Sequence, residues 1–305
     1  MGKHAVVVGI NYKGSGNGEL KGCTNDAETM TRILLEKGYN VATLSDGHSK
    51  WYKPTYEIIM LALEDLISNK KAGDNLVFYF SGHGTQENDG GRDERDGLDE
   101  CIVSSDWRAI SDNTLRDTFE RVPDGVSCTA IMDCCHSGTL FDGQHRLIHG
   151  DKNLDRSSSS ARLRPEVSAP LKKPATTNTR FIPLSQVEEQ YNKLHGHRDT
   201  MARSADTCVA RSMALPQRRK GRRADTTLLL SACEEGEKCL DVAPHDGTAP
   251  FGLFTKALEV AYRQRRSARY DELVWEVRRM LRVAGFSQNP CLEGTRAMAS
   301  VAFLQ

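Results

Sequence analysis

His83 and Cys135 are the residues in this chain best placed to do chemistry together. Leu76 to Phe80 runs into Ser81-Gly82-His83-Gly84, and Ala130-Ile131-Met132 runs into Asp133-Cys134-Cys135-His136-Ser137-Gly138. Both apolar runs read as buried strands that break at their C-terminal ends, where an open α/β sheet presents its reactive groups. A thiolate can attack a carbonyl carbon while an imidazole manages the protons. The glycines let a substrate backbone come close, and the amides near Gly84 and Cys135 are natural oxyanion donors. Taken singly, such a histidine is usually structural and such a cysteine a small core residue. Delivered by two strands of one block, they imply a cysteine hydrolase.

Asp26 and Asp133 bear on what would be cut. Two carboxylates converging beside the nucleophile would demand a cation and repel an acidic side chain. Alone, Asp26 reads as a helix-start residue stabilised by the macrodipole, and Asp133 as an N-cap or turn residue. The stretch from Asn88 to Glu100 is acid-rich, and most of it reads as a solvated loop. Nothing suggests tetrahedral zinc, because Cys233 and Cys239 are separated by five residues and no Cys-x-x-Cys is present.

The elements that must position these groups alternate in type. Ala5 to Ile10, Tyr39 to Leu44, Leu76 to Ser81, Ser127 to Met132, Thr226 to Ser231 and Val301 to Leu304 read as strands. Between them a helix from Asn25 to about Lys37 carries a capping-box pattern, Asn25 with Glu28. Further helices are predicted over Tyr56 to Ser68, from Asn113 or Thr114 onward, and near Gly252 to Arg263 and Arg269 to Val283. Strands alternating with helices of this length imply right-handed crossovers, hence an α/β fold with a mainly parallel central sheet flanked by helices.

Charge divides the chain. Net charge is zero, yet Gly150 to Ala224 holds sixteen Lys or Arg against seven Asp or Glu. With Ser157 to Ser160 and five prolines, that stretch reads as a flexible linker, ordered only over Phe181 to Leu194. The reading is therefore a large catalytic block at 1–145, a basic flexible linker at 146–224, and a block at 225–305 too small for its own core, which completes the same domain. A neutral whole gives no claim on nucleic acid or an anionic membrane. The Arg218-Arg219-Lys220-Gly221-Arg222-Arg223 run reads as a solvated tail or a protease site before it reads as a binding patch. No apolar run reaches the roughly 18 residues a bilayer span needs, no signal-peptide core is seen, and Val6 breaks the myristoylation pattern at Gly2. Nine cysteines without regular spacing fit a reduced compartment, so a cytoplasmic monomer is expected.

The paired histidine and cysteine motifs resemble those of the metacaspases, in the caspase-like clan of cysteine peptidases. Leu20-Lys21-Gly22-Cys23-Thr24-Asn25-Asp26, Asp96-Gly97-Leu98-Asp99-Glu100, Leu229-Leu230-Ser231-Ala232-Cys233 and Gly252-Leu253-Phe254-Thr255 extend the likeness to everything but the linker. The resemblance implies a caspase-like fold, with large and small subunit regions in one chain. It makes Cys135 the nucleophile, His83 the proton carrier, Cys134 a position where serine is also accepted, and His136 a shaper of the turn. It places Cys23, Asp26, Ser81 and Asp133 around an S1 pocket for Arg or Lys. It points to calcium as activator, at Asp99, Asp112 and Asn113, where Asn113 replaces an expected aspartate and leaves the site one negative charge short. It also implies autocleavage in the linker, for which Arg218, Arg219, Lys220, Arg222 and Arg223 are the candidates. The subunit order and linker length suggest a type II-like or prodomain-less member. A catalytically inactive caspase-fold scaffold that binds protein clients is the alternative.

Overall fold

The structure, a computed structural model, describes residues 1–88, 98–135, 146–148, 176–196, 226–234 and 236–305. Four apolar runs form the middle of a seven-stranded sheet: β1 (Lys3–Gly9), β3 (Asn75–Ser81), β7 (Ser127–Asp133) and β10 (Thr227–Ser231). With β2 (Asn40–Ser45), β8 (Arg146–Ile148) and β13 (Cys291–Gly294) the order is β2-β1-β3-β7-β10-β13-β8. The first five strands run parallel, and β13 pairs antiparallel with both β10 and β8. Strands buried on both faces need apolar side chains at nearly every position, which is why these runs do not alternate.

The two faces carry separate cores. On one, α1 (Cys23–Glu36), α5 (Leu253–Gln264) and α6 (Tyr270–Val283) pack Met30, Leu34, Phe254, Leu258, Val274 and Val277 against Val7, Val77, Ile131 and Leu230. On the other, α2 (Tyr56–Ile67), α3 (Asp112–Phe119) and α4 (Leu184–His195) pack Ile59, Leu63, Phe119 and Val187 against Val6, Phe78, Phe80 and Met132. α7 (Arg296–Ala299) closes the chain beside β10 and β13. No helix among the described residues is long and apolar enough to cross a membrane.

Three local expectations are corrected. The first helix begins at Cys23, with Gly22 at its N-cap and no capping side chain. Asn25 instead donates to the Pro250 carbonyl at 2.7 Å, and the earlier start brings Asp26 inward. In α3 the cap is Ser111, whose Oγ accepts from Thr114 N, so the helix opens at Asp112. The last strand is β13 and not Val301 to Leu304. Leu304 has φ of 54°, outside the strand region, and Phe303 is packed on Tyr262 and Tyr270.

Two small sheets complete the frame. The acidic segment after His83 is entered and left by strands: β4 (Gly84–Asn88) pairs with β5 (Leu98–Val103), which pairs with β6 (Ala109–Ser111). In the other, β9 (Thr176–Thr179), β11 (Leu240–Ala243) and β12 (Phe251–Gly252) are all antiparallel. Parts of the basic segment are thus woven into the fold: β8 at the edge of the main sheet, then β9 and α4, an ordered stretch longer than the one expected at Phe181 to Leu194.

Candidate active site

His83 follows β3 by two residues and is held from three sides. Tyr12, whose φ of 54° turns it into the site, accepts from His83 N at 3.0 Å and donates to the Val103 carbonyl at 2.6 Å. Its ring lies 4.7 Å from the imidazole. His83 Nε2 sits 2.8 Å from the Gly18 carbonyl, which can only accept, so the proton of the neutral ring resides on Nε2. Nδ1 is buried with no hydrogen-bond partner. Burial lowers the pKa of His83, partly offset by the main chains of Gly18 and Arg180.

Cys135 follows β7 by two residues. Its sulfur accepts from Cys239 N at 3.0 Å, and Thr179 Oγ1 lies 3.7 Å away. The neighbouring Cys233 and Cys239 thiols and the Cys239 amide, against the opposing pull of burial, hold the Cys135 thiol well below the usual range. Adjacent Cys134 turns to the opposite face, among the core residues beside Met132 and Leu229. A β-carbon at Gly84 would lie 2.0 Å from the Cys135 carbonyl, so the two turns touch only because this position is glycine.

Between the two turns lies an acidic pocket. Asp26 and Asp133 converge there, as the sequence implies, with Ser81 and buried Cys23. They converge on a side chain of the chain itself, Arg180. Its guanidinium lies 2.6 Å from Asp26 Oδ2, 3.0 Å from Asp133 Oδ1 and 3.2 Å from Asp241 Oδ1. It also donates to Ser81 Oγ at 2.8 Å and to the Asp133 carbonyl at 3.0 Å. The contact to Asp133 Oδ1 lacks hydrogen-bond alignment and is a charge contact. Thr255 donates to the other oxygen of Asp133 from Oγ1 at 2.5 Å and from N at 3.1 Å. Gly252 N donates to Asp26, and a β-carbon on Gly252 would fall 2.5 Å from Arg180, Asp26 and Asp133 alike. Burial raises the pKa of Asp26 to about 7 and raises that of Asp133, each countered by Arg180.

Arg180 arrives on an extended segment. β9 pairs with β11 through Thr179 and Leu240, after which Arg180 N donates to the Cys239 carbonyl at 3.0 Å. The Arg180 carbonyl accepts from Gly84 N at 2.8 Å, and Ile182 N donates to the Gly84 carbonyl at 3.0 Å. The main chain thus lies as an added strand, the way a peptide docks on a sheet edge, with one carbonyl on an expected oxyanion donor. Arg180, Asp241, Tyr12, Gly18 and Thr255 escape the sequence reading. Arg180 is one of sixteen basic residues in its stretch, and the expected ordered piece starts one residue after it. Arg218, Arg219, Lys220, Arg222, Arg223 and His136 lie outside the described residues.

The oxygen-rich set does gather. Asn113 Nδ2 donates to Asp99 Oδ1 at 3.1 Å, and Asp112 Oδ1 accepts from Asn113 N at 2.8 Å. Arg116 stands among them, 2.8 Å from Asn113 Oδ1 and 3.5 Å from Asp112 Oδ2. Carboxylate and amide oxygens suit calcium in kind. Here a guanidinium already meets them, and among the described residues no group of three His, Cys, Asp or Glu is placed to hold a metal ion.

A family model described as the metacaspase, peptidase C14 domain matches residues 3–144. Metacaspase-6 of Arabidopsis thaliana is 36% identical over 205 residues, covering 65% of this chain and 55% of that protein. Metacaspase-4 of the same plant is 43% identical over 147 residues, which are 47% of this chain and 35% of its own. The chain thus spans only part of these relatives, whereas metacaspase-9 is 29% identical over 322 residues, covering 98% of this chain and 96% of that one. The crystal structure of a Geobacter sulfurreducens protein shares the fold, with a TM-score of 0.64 at 23% identity over 99% of this chain and 98% of that one. Likeness in sequence runs through both the large block and the full length, over a mainly parallel sheet that ends in a histidine and a cysteine turn: residues 3–144 match the metacaspase peptidase C14 domain, and the chain as a whole is similar to metacaspases.

Proposed function

We propose that the chain is a cysteine endopeptidase that cleaves after Arg or Lys, and that the Arg180–Phe181 bond is the one it cuts in itself. One observation carries this reading: a guanidinium of the chain's own, fully buried, sits among Asp26, Asp133 and Asp241 with its carbonyl on Gly84 N. Cations are matched there by charge, and an aspartate side chain would meet three carboxylates. The proposal adds Arg180 to the autocleavage candidates; the 218–223 run lies outside the described residues.

The chemistry follows from the proton inventory. Cys135, acidified by neighbouring donors, attacks the carbonyl carbon of the P1 residue. The Gly84 amide steadies the oxygen as it gains charge. With Nε2–H committed to Gly18, Nδ1 of His83 takes the proton that the Cys135 thiol gives up on attack and passes it to the departing Phe181 nitrogen. The C–N bond breaks and leaves a thioester. Water, losing its proton to the same Nδ1, releases the new carboxylate and the thiolate.

Calcium is proposed as the activator. What supports it is the gathering of Asp99, Asp112 and Asn113, and their place in the frame: Asp99 pairs with Glu87 on β4, and β4 begins at Gly84. Occupation of those oxygens by a cation requires Arg116 to give up its place. Hydrolysis of fluorogenic peptides with Arg, Lys or Asp at P1, with calcium and with chelator, tests the whole reading. Turnover of the Arg and Lys peptides alone is expected. Cleavage after Asp would overturn it, and no cleavage of any peptide by any form would leave the client-binding scaffold.

A further inference from the structure

Three thiols meet beneath the cleft. Cys233 closes the turn after β10, Cys239 precedes β11, and Cys135 follows β7, so the sheet topology brings their strand ends together. Cys239 Sγ lies 2.8 Å from Cys233 Sγ, and Cys239 N is 3.0 Å from Cys135 Sγ. All three side chains are fully buried. Cys239 also faces the Cys134 carbonyl at 3.0 Å and Cys233 the Glu237 carbonyl at 3.6 Å, contacts that only a protonated thiol can make as donor. Two neutral thiols packed against an acidified third describe neither a metal site, which needs thiolates, nor ordinary core, which has no cause to stack sulfur on sulfur beside a reactive thiolate.

We infer that Cys233 and Cys239 form a reversible oxidation site for Cys135, in which peroxide oxidation of Cys135 is passed to these two thiols and ends as a Cys233–Cys239 disulfide. The inference rests on Cys135 being the reactive thiolate. The Cys135 sulfur attacks one peroxide oxygen and gives it two electrons. The O–O bond breaks, leaving sulfenic acid and, from hydrogen peroxide, one water. The Cys239 thiol loses its proton and attacks the Cys135 sulfur, the S–O bond breaks, and a second water leaves. Cys233, losing its proton, attacks the Cys239 sulfur and expels Cys135 as thiolate. One peroxide is reduced to two waters, and two thiols lose their hydrogens. Cys239 is the intermediary because its main chain meets the Cys135 sulfur and its own sulfur meets Cys233. The product spares Cys135 from the irreversible sulfinic and sulfonic acids, while its thiolate loses two neighbouring thiols until a dithiol restores them.

The full chain and its Arg180→Ala form, whose pocket lacks the resident guanidinium, should be treated with hydrogen peroxide and blocked with iodoacetamide. Free thiols and cross-links are then mapped by mass spectrometry, without reduction. A peptide pair joining Cys233 to Cys239, lighter by two hydrogens, is expected in at least one form, with peptidase activity lost and regained on adding dithiothreitol. Cys239→Ser should instead accumulate Cys135 sulfinic acid, and Cys233→Ser should stop at a reducible Cys135–Cys239 link. In Cys135→Ala neither thiol should be consumed. A Cys233–Cys239 link formed as fast without Cys135, sulfinic acid at Cys135 in the parent chain, or three thiols free in both forms would each overturn the inference. Because the map reads bonds and not turnover, it fails independently of the specificity assigned to the cleft.

Discussion

Asp26 and Asp133 share one guanidinium in a space closed to water, and this sets how the pocket should respond to pH. Burial raises both carboxyls, with Asp26 at about 7 while Arg180 is present, and the guanidinium is the strongest influence pulling each down. Entry of a cation therefore lowers the Asp26 pKa and releases a proton, so by linkage affinity for P1 Arg must rise as pH climbs through about 7. The KM of a P1-Arg peptide should change little below about pH 7 and fall as pH rises above it, whereas that of an uncharged P1 analogue stays flat; a flat profile for both would remove the titrating pocket. Asp133→Asn should be costlier than its small change of shape suggests, because it leaves a buried cation with fewer partners. A loss of roughly 3 kcal/mol in kcat/KM for P1-Arg peptides is expected. The neighbours separate cleanly: Cys135→Ala and His83→Ala should abolish turnover, and Cys134→Ser, on the far face, should retain much of it.

At the scale of elements, the site is built from strand ends, and legibility followed burial. β1, β3, β7 and β10 lie between two helical layers, so their sequences are unbroken apolar runs and their C-terminal turns stand out. Asp26 and Asp133 could be paired from the sequence because each adjoins a motif. β9 could not be seen: Thr176 to Thr179 is polar and largely exposed, and its order comes from pairing with β11. Asp241 was invisible for the complementary reason, since its role depends on that same pairing and on the Lys21 and Gly22 amides it accepts from, over 200 positions away. The register fixes a test. Thr179 is the last paired residue of β9, so Arg180 alone reaches the pocket. Arg180→Ala should abolish cleavage at 180–181 yet leave the intact chain more active on small peptides, because the competing side chain is gone. Arg180→Lys should restore the cut. Persistent cleavage at that bond in Arg180→Ala would show that another residue occupies the cleft.

Across the whole molecule, the strand at the cleft and the oxygen cluster are two ends of one connected frame. The Gly84 amide grips the Arg180 carbonyl, Gly84 opens β4, β4 pairs with β5 at Asp99, and Asp99 is tied through Asn113 to Arg116 and Asp112. A cation at the cluster must displace Arg116, whereas Arg180 is held by three carboxylates in a dry pocket. On the proposed activation by calcium, binding energy at the cluster drives cleavage of the held strand and its release, through differential affinity for the two arrangements. Calcium should convert the 33.9 kDa chain into two fragments that separate at Arg180, and Cys135→Ala should stay whole. Asp112→Ala should raise the calcium required, having lost a donor. Arg116→Gln should lower it, because the internal competitor is neutral, and this variant decides the matter: calcium binding followed by calorimetry gives the affinity without reference to turnover, while gels give the conversion. If Arg116→Gln binds calcium more tightly and converts at lower calcium, the internal cation sets the threshold. If it binds no tighter than the parent chain, the oxygens around Arg116 are not where calcium acts.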